Sequence, residues 1–174
     1  LTFGADRFTK NGGIKGLAFR LGKNEVNVGF SGSDLDTDTY NLTYYSTSPL
    51  KKDNRYLDTI IGIGVLQSDI TNVLDGNRLH GDRNGKQIYG TLKLKNEIKK
   101  GEITFIPSGQ LDLGYTLLDS YSESGNTAMR FEDQSIQSKN VRLSVAAFDQ
   151  LQRDKYNIRR HQKLEYKVDF DRSS

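Results

Sequence analysis

The 174-residue chain contains no cysteine and no tryptophan, and it has only two prolines. The absence of cysteine excludes a disulfide scaffold, a cysteine-ligated zinc site and a catalytic thiol. It also fits a chain that crosses an oxidising compartment without the risk of wrong disulfides. No apolar run approaches the ~18 residues of a membrane-spanning helix, although a membrane β-barrel can be as polar overall as this chain.

The chain has little excess of either charge, since 25 Lys and Arg are balanced by 22 Asp and Glu, which leaves a net charge of +3. The two signs are mixed along the chain, whereas a nucleic-acid surface would be clustered and one-sided. We therefore expect no nucleic-acid partner. The length predicts one domain, residues 1–174. The chain begins without Met and without a signal peptide, so we expect it to be a piece of something larger.

Hydrophobic periodicity is the strongest positive signal. In the stretch 103–118 the apolar Leu111 and Leu113 alternate with the polar Gln110 and Asp112. Alternation with period two places one apolar and one polar face on a strand, whereas a helix would scatter both sets around its circumference. The same pattern recurs along the chain, and no helical stretch has comparable quality. The sequence therefore predicts an all-β protein.

Glycine- and asparagine-rich segments mark predicted turns between about nine strands. The predicted connections form two alternating sets along the chain. The first, third, fifth and seventh connections fall near residues 9–13, 34–38, 68–85 and 120–135. The second, fourth, sixth and eighth fall near 22–24, 48–55, 98–101 and 149–159. The two longest connections belong to the first set, as in outer-membrane barrels, whose outer loops are long and periplasmic turns short. The predicted strands are also longer than the usual ~5 or 6 residues of globular proteins.

Alternation alone leaves two architectures open. A soluble antiparallel sandwich would bury the apolar faces in a core, whereas a membrane barrel would turn them outward to lipid. The polar faces are rich in small, neutral residues such as Gly62, Gly64, Ser108 and Thr116. A water-exposed surface would carry more Lys and Glu, so this composition favours the barrel.

Several motifs resemble, in their order and spacing, the β-barrel translocator domain of autotransporters, the type V secretion proteins. Tyr40, Leu42 and Tyr45 follow an Asp-rich segment, and a strand beginning Tyr56-Leu57-Asp58 comes next. A Pro-containing strand, 107–115, then leads into Tyr121-Ser122-Glu123-Ser124-Gly125. The opening residues 4–7, Gly-Ala-Asp-Arg, resemble an early strand of that family. The resemblance extends to about Val145.

The resemblance implies an antiparallel up-and-down transmembrane β-barrel in the outer membrane of a Gram-negative bacterium. Such a domain anchors and exports an N-terminal passenger, so the implied partners are outer-membrane lipid, the barrel assembly machinery and a covalently attached passenger. The family's barrel has twelve strands, and we expect about nine of them here, without the last C-terminal strands. We expect no cofactor and no enzymatic activity. The alternative is a soluble β-rich surface or adhesion module with a packed apolar core.

Four charged residues are candidates for the functional site. By parity Asp58, Asp112 and Arg142 lie on polar faces, where buried charges need partners and could brace a lumen. Glu123 comes from the family motif alone, and its side is not set by parity. The residues predicted to face lipid are Leu57, Ile61, Ile63, Phe105, Leu111, Leu113, Tyr115, Val141, Leu143 and Val145.

Metal and nucleotide sites are not expected. His80 and His161 are far apart in sequence, and a metal site needs a cluster of ligands. The Asp34-x-Asp36-x-Asp38 segment lacks the glycine and the bidentate glutamate of a calcium loop. Gly62 and Gly64 lie within a strand that no helix follows, which excludes a dinucleotide fingerprint.

Overall fold

The structure, a computed structural model, describes residues 1–28, 32–51, 54–74, 76–125, 128–153, 156–170 and 172–173. The secondary structure in these ranges consists of strands and turns. The strands are β1 (Thr2–Phe8), β2 (Ile14–Val28), β3 (Ser33–Pro49), β4 (Arg55–Leu74), β5 (Asn77–Asn96), β6 (Ile98–Lys100), β7 (Ile103–Leu118), β8 (Tyr121–Ser122), β9 (Arg130–Phe131), β10 (Gln134–Arg153), β11 (Tyr156–Asp169) and β12 (Arg172–Ser173).

Eight strands follow one another in one antiparallel sheet, in the order β1-β2-β3-β4-β5-β7-β10-β11. Each strand pairs with the preceding and following long strand of the chain, which is an up-and-down meander. The short strands β6 and β12 pair with β7 and β10, while β8 and β9 form a separate two-stranded sheet. Among the described residues, β1 and β11 are the two edges of the path and do not pair with each other.

The connections lie at two ends of the sheet. One end, called here the 50–54 end, holds the connections 9–13, 50–54, 97–102 and 154–155. The other, the 119–133 end, holds 29–32, 75–76 and the longest connection, 119–133.

The sheet has two chemically different faces. We call the side that carries Leu111 and Leu113 the apolar face, and the side that carries Gln110 and Asp112 the polar face. The register keeps each set on one side, since Leu111 pairs with Leu92 and Val141, whereas Asp112 pairs with Thr91 and Asn140. Among the described residues, Leu79 is the one buried apolar side chain, exposed by 1%. The molecule therefore has no packed apolar core in its described part.

Two of the predicted turns are wrong. Residues 22–24 lie inside β2 and residues 34–38 inside β3, because these strands pair without interruption from Ile14↔Thr47 to Val28↔Ser33. A continuous ladder satisfies the backbone groups of turn-prone residues as well as a turn would. The two expected turns are thus one connection at 29–32, and the main path has eight strands where the sequence predicts about nine.

Two predicted connections are much shorter than expected. β4 and β5 pair as far as Leu74↔Asn77, so the predicted connection 68–85 shrinks to residues 75–76, with Gly76 at a φ of 79°. The predicted connection 149–159 shrinks in the same way, because β10 and β11 pair as far as Arg153↔Tyr156. The predicted alternation of the connections also assigns 9–13 to the wrong set, because this connection lies at the end opposite to 119–133. In the described residues, no helix is long and apolar enough to cross a bilayer.

Candidate functional site: the polar face

The polar face carries three rows in which a side chain crosses a glycine to reach the strand beyond it. Thr43 on β3, Gly62 on β4 and Tyr89 on β5 are directly paired neighbours in one row. The Tyr89 hydroxyl lies 2.5 Å from Oγ1 of Thr43, so the ring passes over Gly62. A Cβ atom at Gly62 would lie only 2.2 Å from Cζ of Tyr89. A larger residue there would have to displace the Tyr89 ring, so the constraint at Gly62 comes from close approach of the ring and not from backbone conformation.

The same arrangement recurs nearer the start of the chain. Asp6 on β1, Gly16 on β2 and Tyr45 on β3 form one row. The Tyr45 hydroxyl donates to Oδ2 of Asp6 over 2.9 Å, and a Cβ at Gly16 would lie 2.6 Å from the ring. Each tyrosine thus ties together three strands with one hydrogen bond, in addition to the backbone ladder.

A third row uses amides in place of a ring. Asn41, Gly64 and Gln87 are paired across β3, β4 and β5, and Gln87 Nε2 donates to Oδ1 of Asn41 across the glycine. The alternation of polar and apolar residues predicts Gly62 and Gly64 on a polar face, but it indicates none of the three rows. The signal that would reveal them is the register, because only pairing shows that each glycine lies between two long polar side chains.

A charge cluster surrounds Asp112 near the middle of β7. Its Oδ1 accepts hydrogen bonds from Thr91 Oγ1 over 2.7 Å and from Gln110 Nε2 over 2.8 Å. Arg142 Nε lies 3.1 Å from Oδ2 of Asp112, but the angle makes this contact an ion pair without a hydrogen bond, and Nε has no hydrogen-bond partner in the described part of the chain. The structure thus brings the predicted residues Asp112 and Arg142 together.

Asp58 belongs to a second charged group, at the 50–54 end of the polar face. It accepts a hydrogen bond from Thr47 Oγ1 over 2.8 Å and pairs with Lys95 Nζ at 3.0 Å. The Lys95 ammonium also lies 5.6 Å from the ring centre of Tyr56. The sequence suggested carboxylates opposite Arg142, and in the structure Asp112 supplies that carboxylate while Asp58 has another cation.

Glu123 has a different role from the other three charges. It lies in the 119–133 connection, is only 5% exposed and accepts a hydrogen bond from Nδ2 of Asn72 on β4. Its backbone N–H donates to the carbonyl of Met129 over 2.9 Å, and the N–H of Ser124 donates to the carbonyl of His80 over 2.7 Å. Glu123 therefore fastens the connection to the polar face of β4 and β5.

Aromatic and cationic contacts hold the rest of this connection. Tyr121 stacks on Phe131 with ring centres 4.7 Å apart, and the Arg83 guanidinium lies 5.4 Å from the Tyr121 ring centre. Burial is the main cause that raises the pKa of the Tyr121 hydroxyl, followed by the charge of Glu123, while Arg83 acts in the opposite direction. Asn126 and Thr127 of the same connection lie outside the described residues.

The ten residues predicted to contact lipid all lie on the apolar face. Eight of them are exposed by more than one third, from 37% for Tyr115 to 60% for Leu143. Leu57 and Phe105 are half-buried. Exposure does not identify the surrounding medium, so lipid contact stays a prediction for each of these residues. Among the described residues no cluster of His, Asp and Glu could hold a metal ion.

A long antiparallel meander with exposed apolar side chains on one face and paired polar side chains on the other defines the class of transmembrane β-barrel sheets. The autotransporter β-domain family model matches residues 1–174. The chain belongs to this family. Autotransporter β-domains are outer-membrane barrels of type V secretion, and the predicted all-β antiparallel barrel fold is confirmed.

Solved structures that share the fold include two autotransporter domains. The β-domain of the Bordetella autotransporter BrkA superposes with a TM-score of 0.73 at 14% identity, covering 95% of this chain and 69% of that one. The translocator domain of the autotransporter NalP from Neisseria meningitidis gives a TM-score of 0.65 at 14% identity, covering 90% of this chain and 61% of that one. The chain thus spans about two thirds of the length of these domains. No curated protein sequence matches it.

Proposed function

We propose that this chain is part of an outer-membrane translocator barrel that anchors and exports a covalently attached N-terminal passenger. The observation that supports this function best is the two-sided sheet, whose apolar side chains are exposed while its polar side chains pair with one another. In water, exposed apolar area costs about 25 cal/mol per Å². Lipid around the apolar face removes that cost, and a barrel then encloses the polar face as its lumen.

The polar face suits a hydrated passage. Between the two edge strands β1 and β11, backbone groups are satisfied by pairing between strands, as a bilayer requires. The three rows that cross Gly16, Gly62 and Gly64 keep long side chains flat against the wall and tie strands together. The charges of Asp58 and Asp112 are neutralised by cations on the same wall, so a passing polypeptide does not meet unpaired carboxylates there.

The proposal includes partners and excludes catalysis. An outer-membrane barrel of this family would be inserted by the barrel assembly machinery and surrounded by outer-membrane lipid. We infer that the chain has no enzymatic activity of its own, since Asp58, Asp112 and Glu123 already accept hydrogen bonds from neighbouring side chains. A soluble adhesion module is disfavoured, because it would need a packed apolar core, and Leu79 is the one apolar side chain that the described residues bury.

A single-cysteine scan tests the proposed orientation directly. The chain has no native cysteine, so each variant carries one thiol in this domain. In the full-length protein in membranes, Leu111→Cys and Leu113→Cys should react with a lipid-soluble maleimide, and Gln110→Cys and Asp112→Cys with a water-soluble one. The proposal fails if the leucine variants react only with the water-soluble reagent, because both faces would then contact water.

A further inference from the structure

The apolar face contains a groove near the 50–54 end. Its volume is about 600 Å³, and it is lined by Leu94, Pro107, Gly109, Leu143, Leu164 and Tyr166, with Arg55 at one end. The groove crosses four strands, since Leu94, Gly109, Leu143 and Tyr166 are successive paired neighbours on β5, β7, β10 and β11.

The groove exists because β7 carries a proline and a glycine on the apolar face at this point. The apolar face of β7 carries Ile103, Phe105, Leu111, Leu113, Tyr115 and Leu117, but Pro107 and Gly109 interrupt this series. A Cβ at Gly109 would meet only Cδ2 of Leu143, at an ordinary 3.7 Å. The backbone therefore does not require glycine there, and the missing side chain leaves space on the outer surface.

Arg55 supplies a charge at the end of this space. It lies on the apolar face of β4, two residues before Leu57, which is the paired neighbour of Leu94. Two strand residues span about 7 Å, so the guanidinium stem starts just beside the groove. Arg55 is exposed and makes no ion pair or side-chain hydrogen bond with another described residue.

The position of Arg55 also indicates the membrane surface concerned. It directly follows the 50–54 connection, at the end opposite to the longest connection, 119–133. Outer-membrane barrels have short turns in the periplasm and longer loops outside. Arg55 would then lie at the periplasmic interface, where an arginine beside hydrocarbon extends its guanidinium toward headgroups.

We propose that this groove binds one phospholipid of the periplasmic leaflet that has an anionic headgroup, with an acyl chain over Gly109 and the phosphate on Arg55. The inference rests on the proposed function, since it requires the apolar face to be in a bilayer. A peptide fits the groove less well, because the strands β5, β7 and β10 that form most of its floor are paired on both sides and offer no free strand edge. An apolar channel ending in one unpaired guanidinium matches an anionic amphiphile.

The test uses the purified full-length protein in vesicles of phosphatidylcholine that contain a small fraction of phosphatidylglycerol with a diazirine on its acyl chain. Irradiation and peptide mapping should place the label preferentially on residues 107–109 and 143–145. Arg55→Gln should reduce labelling there about fivefold, as one basic residue near an anionic surface contributes. Lys100→Gln is the matched control, an exposed lysine at the same end outside the groove, and should leave labelling unchanged.

A second variant probes the space without altering charge. Gly109→Leu fills the groove and should reduce the same label, whereas Gly90→Leu, elsewhere on the apolar face, should not. A Cβ at Gly90 meets only the Ile60 carbonyl oxygen at 3.5 Å, so both variants should fold. Heat-modifiable gel migration checks that each barrel has inserted. Two results with inserted barrels overturn the lipid site but leave the proposed translocator function intact. The first is that a phosphatidylcholine diazirine labels the groove as strongly as the phosphatidylglycerol diazirine does. The second is that Arg55→Gln is labelled as strongly as the wild-type protein. A wild-type protein that does not insert overturns both proposals.

Discussion

Replacing Gly62 by alanine should destabilise the barrel, although alanine is normally the better residue in a strand. The added Cβ would lie 2.2 Å from Cζ of Tyr89 and 2.4 Å from its hydroxyl. No real Cβ contact is that short, so the Tyr89 ring must swing away from β4. In doing so it loses the 2.5 Å hydrogen bond to Thr43.

The magnitude follows from three contributions. Loss of a hydrogen bond of this kind costs about 0.5–1.5 kcal/mol. Forcing the tyrosine toward an unfavourable rotamer adds about 0.5–1.5 kcal/mol. Replacing glycine by alanine in a strand stabilises the folded state by roughly 0.5–1 kcal/mol, because it reduces the conformational entropy of the unfolded chain. The free energy of unfolding of Gly62→Ala should therefore fall by roughly 1 kcal/mol, within a range of about 0–2.5 kcal/mol, because the half-buried ring can relax only part of the strain.

Urea unfolding of the full-length protein in liposomes, followed by heat-modifiable gel migration, measures this change. Gly90→Ala is the matched control, because its Cβ would meet only the Ile60 carbonyl at 3.5 Å. It should be neutral or slightly stabilising. The reasoning also predicts non-additivity, since Gly62→Ala should cost little once Tyr89 is already alanine. A Gly62→Ala protein at least as stable as the Gly90→Ala protein would show that the ring does not lie over Gly62.

Three further predictions address the charged groups and the apolar face. Asp112→Asn should lower the free energy of unfolding by roughly 1–2 kcal/mol, because the half-buried Arg142 loses the carboxylate it pairs with. Glu25→Gln, which breaks the exposed pair Lys23–Glu25, should leave the free energy of unfolding nearly unchanged. Urea titration of both variants in liposomes compares them, and an equal loss in both would contradict the role of the Asp112–Arg142 pair. Glu123→Ala should release the 119–133 connection, which amide exchange and proteolysis would show as faster reaction at residues 120–132. Glu123→Gln should retain much of the protection, because its side-chain carbonyl still accepts a hydrogen bond from Asn72. Equal exchange in both variants would refute this role of Glu123. Leu111→Arg should cost about 2–4 kcal/mol at the bilayer midplane and Gln110→Arg much less, measured by unfolding in liposomes; equal costs would contradict the assignment of faces.

The sequence was sufficient to predict the strands and their faces wherever apolar residues alternate with polar ones. An example is β7, where Leu111 and Leu113 alternate with Gln110 and Asp112. The register confirms that each of these two sets lies on one side of the sheet. It was not sufficient to predict turns where both faces are polar. Residues 22–24 and 34–38 are rich in Gly, Asn and Asp, which favour turns locally, but pairing between β2 and β3 overrides that preference.

The polar contacts show a second kind of limit. Parity alone placed Asp58, Asp112 and Arg142 on polar faces, yet which of them meet depends on register and on side-chain length. Tyr89 reaches Thr43 only because Gly62 lies between them, a relation between three strands that no local window contains. The role of Glu123 was also hidden, since its partner Asn72 is on another strand, at a position where the sequence suggested a loop.

The β4–β5 hairpin is longer than a bilayer requires. Its length explains why β4 carries the alternation typical of a membrane strand in one part and a polar sequence typical of a loop in another. On β4 the apolar face is continuous from Leu57 to Val65, nine residues that match the ~9–11 needed for a tilted transmembrane strand. Beyond Val65 the same face carries Gln67 and then Asp69, which is exposed and paired with the exposed Asp82 of β5. Two carboxylates side by side in hydrocarbon would be prohibitively costly, so this part of the hairpin must lie in water. We therefore expect each of the two strands of the hairpin to cross the bilayer once and to continue as a water-exposed extension at the 119–133 end. Because no hydrophobic contrast remains in that extension, the sequence suggested a loop where the backbone continues as a strand.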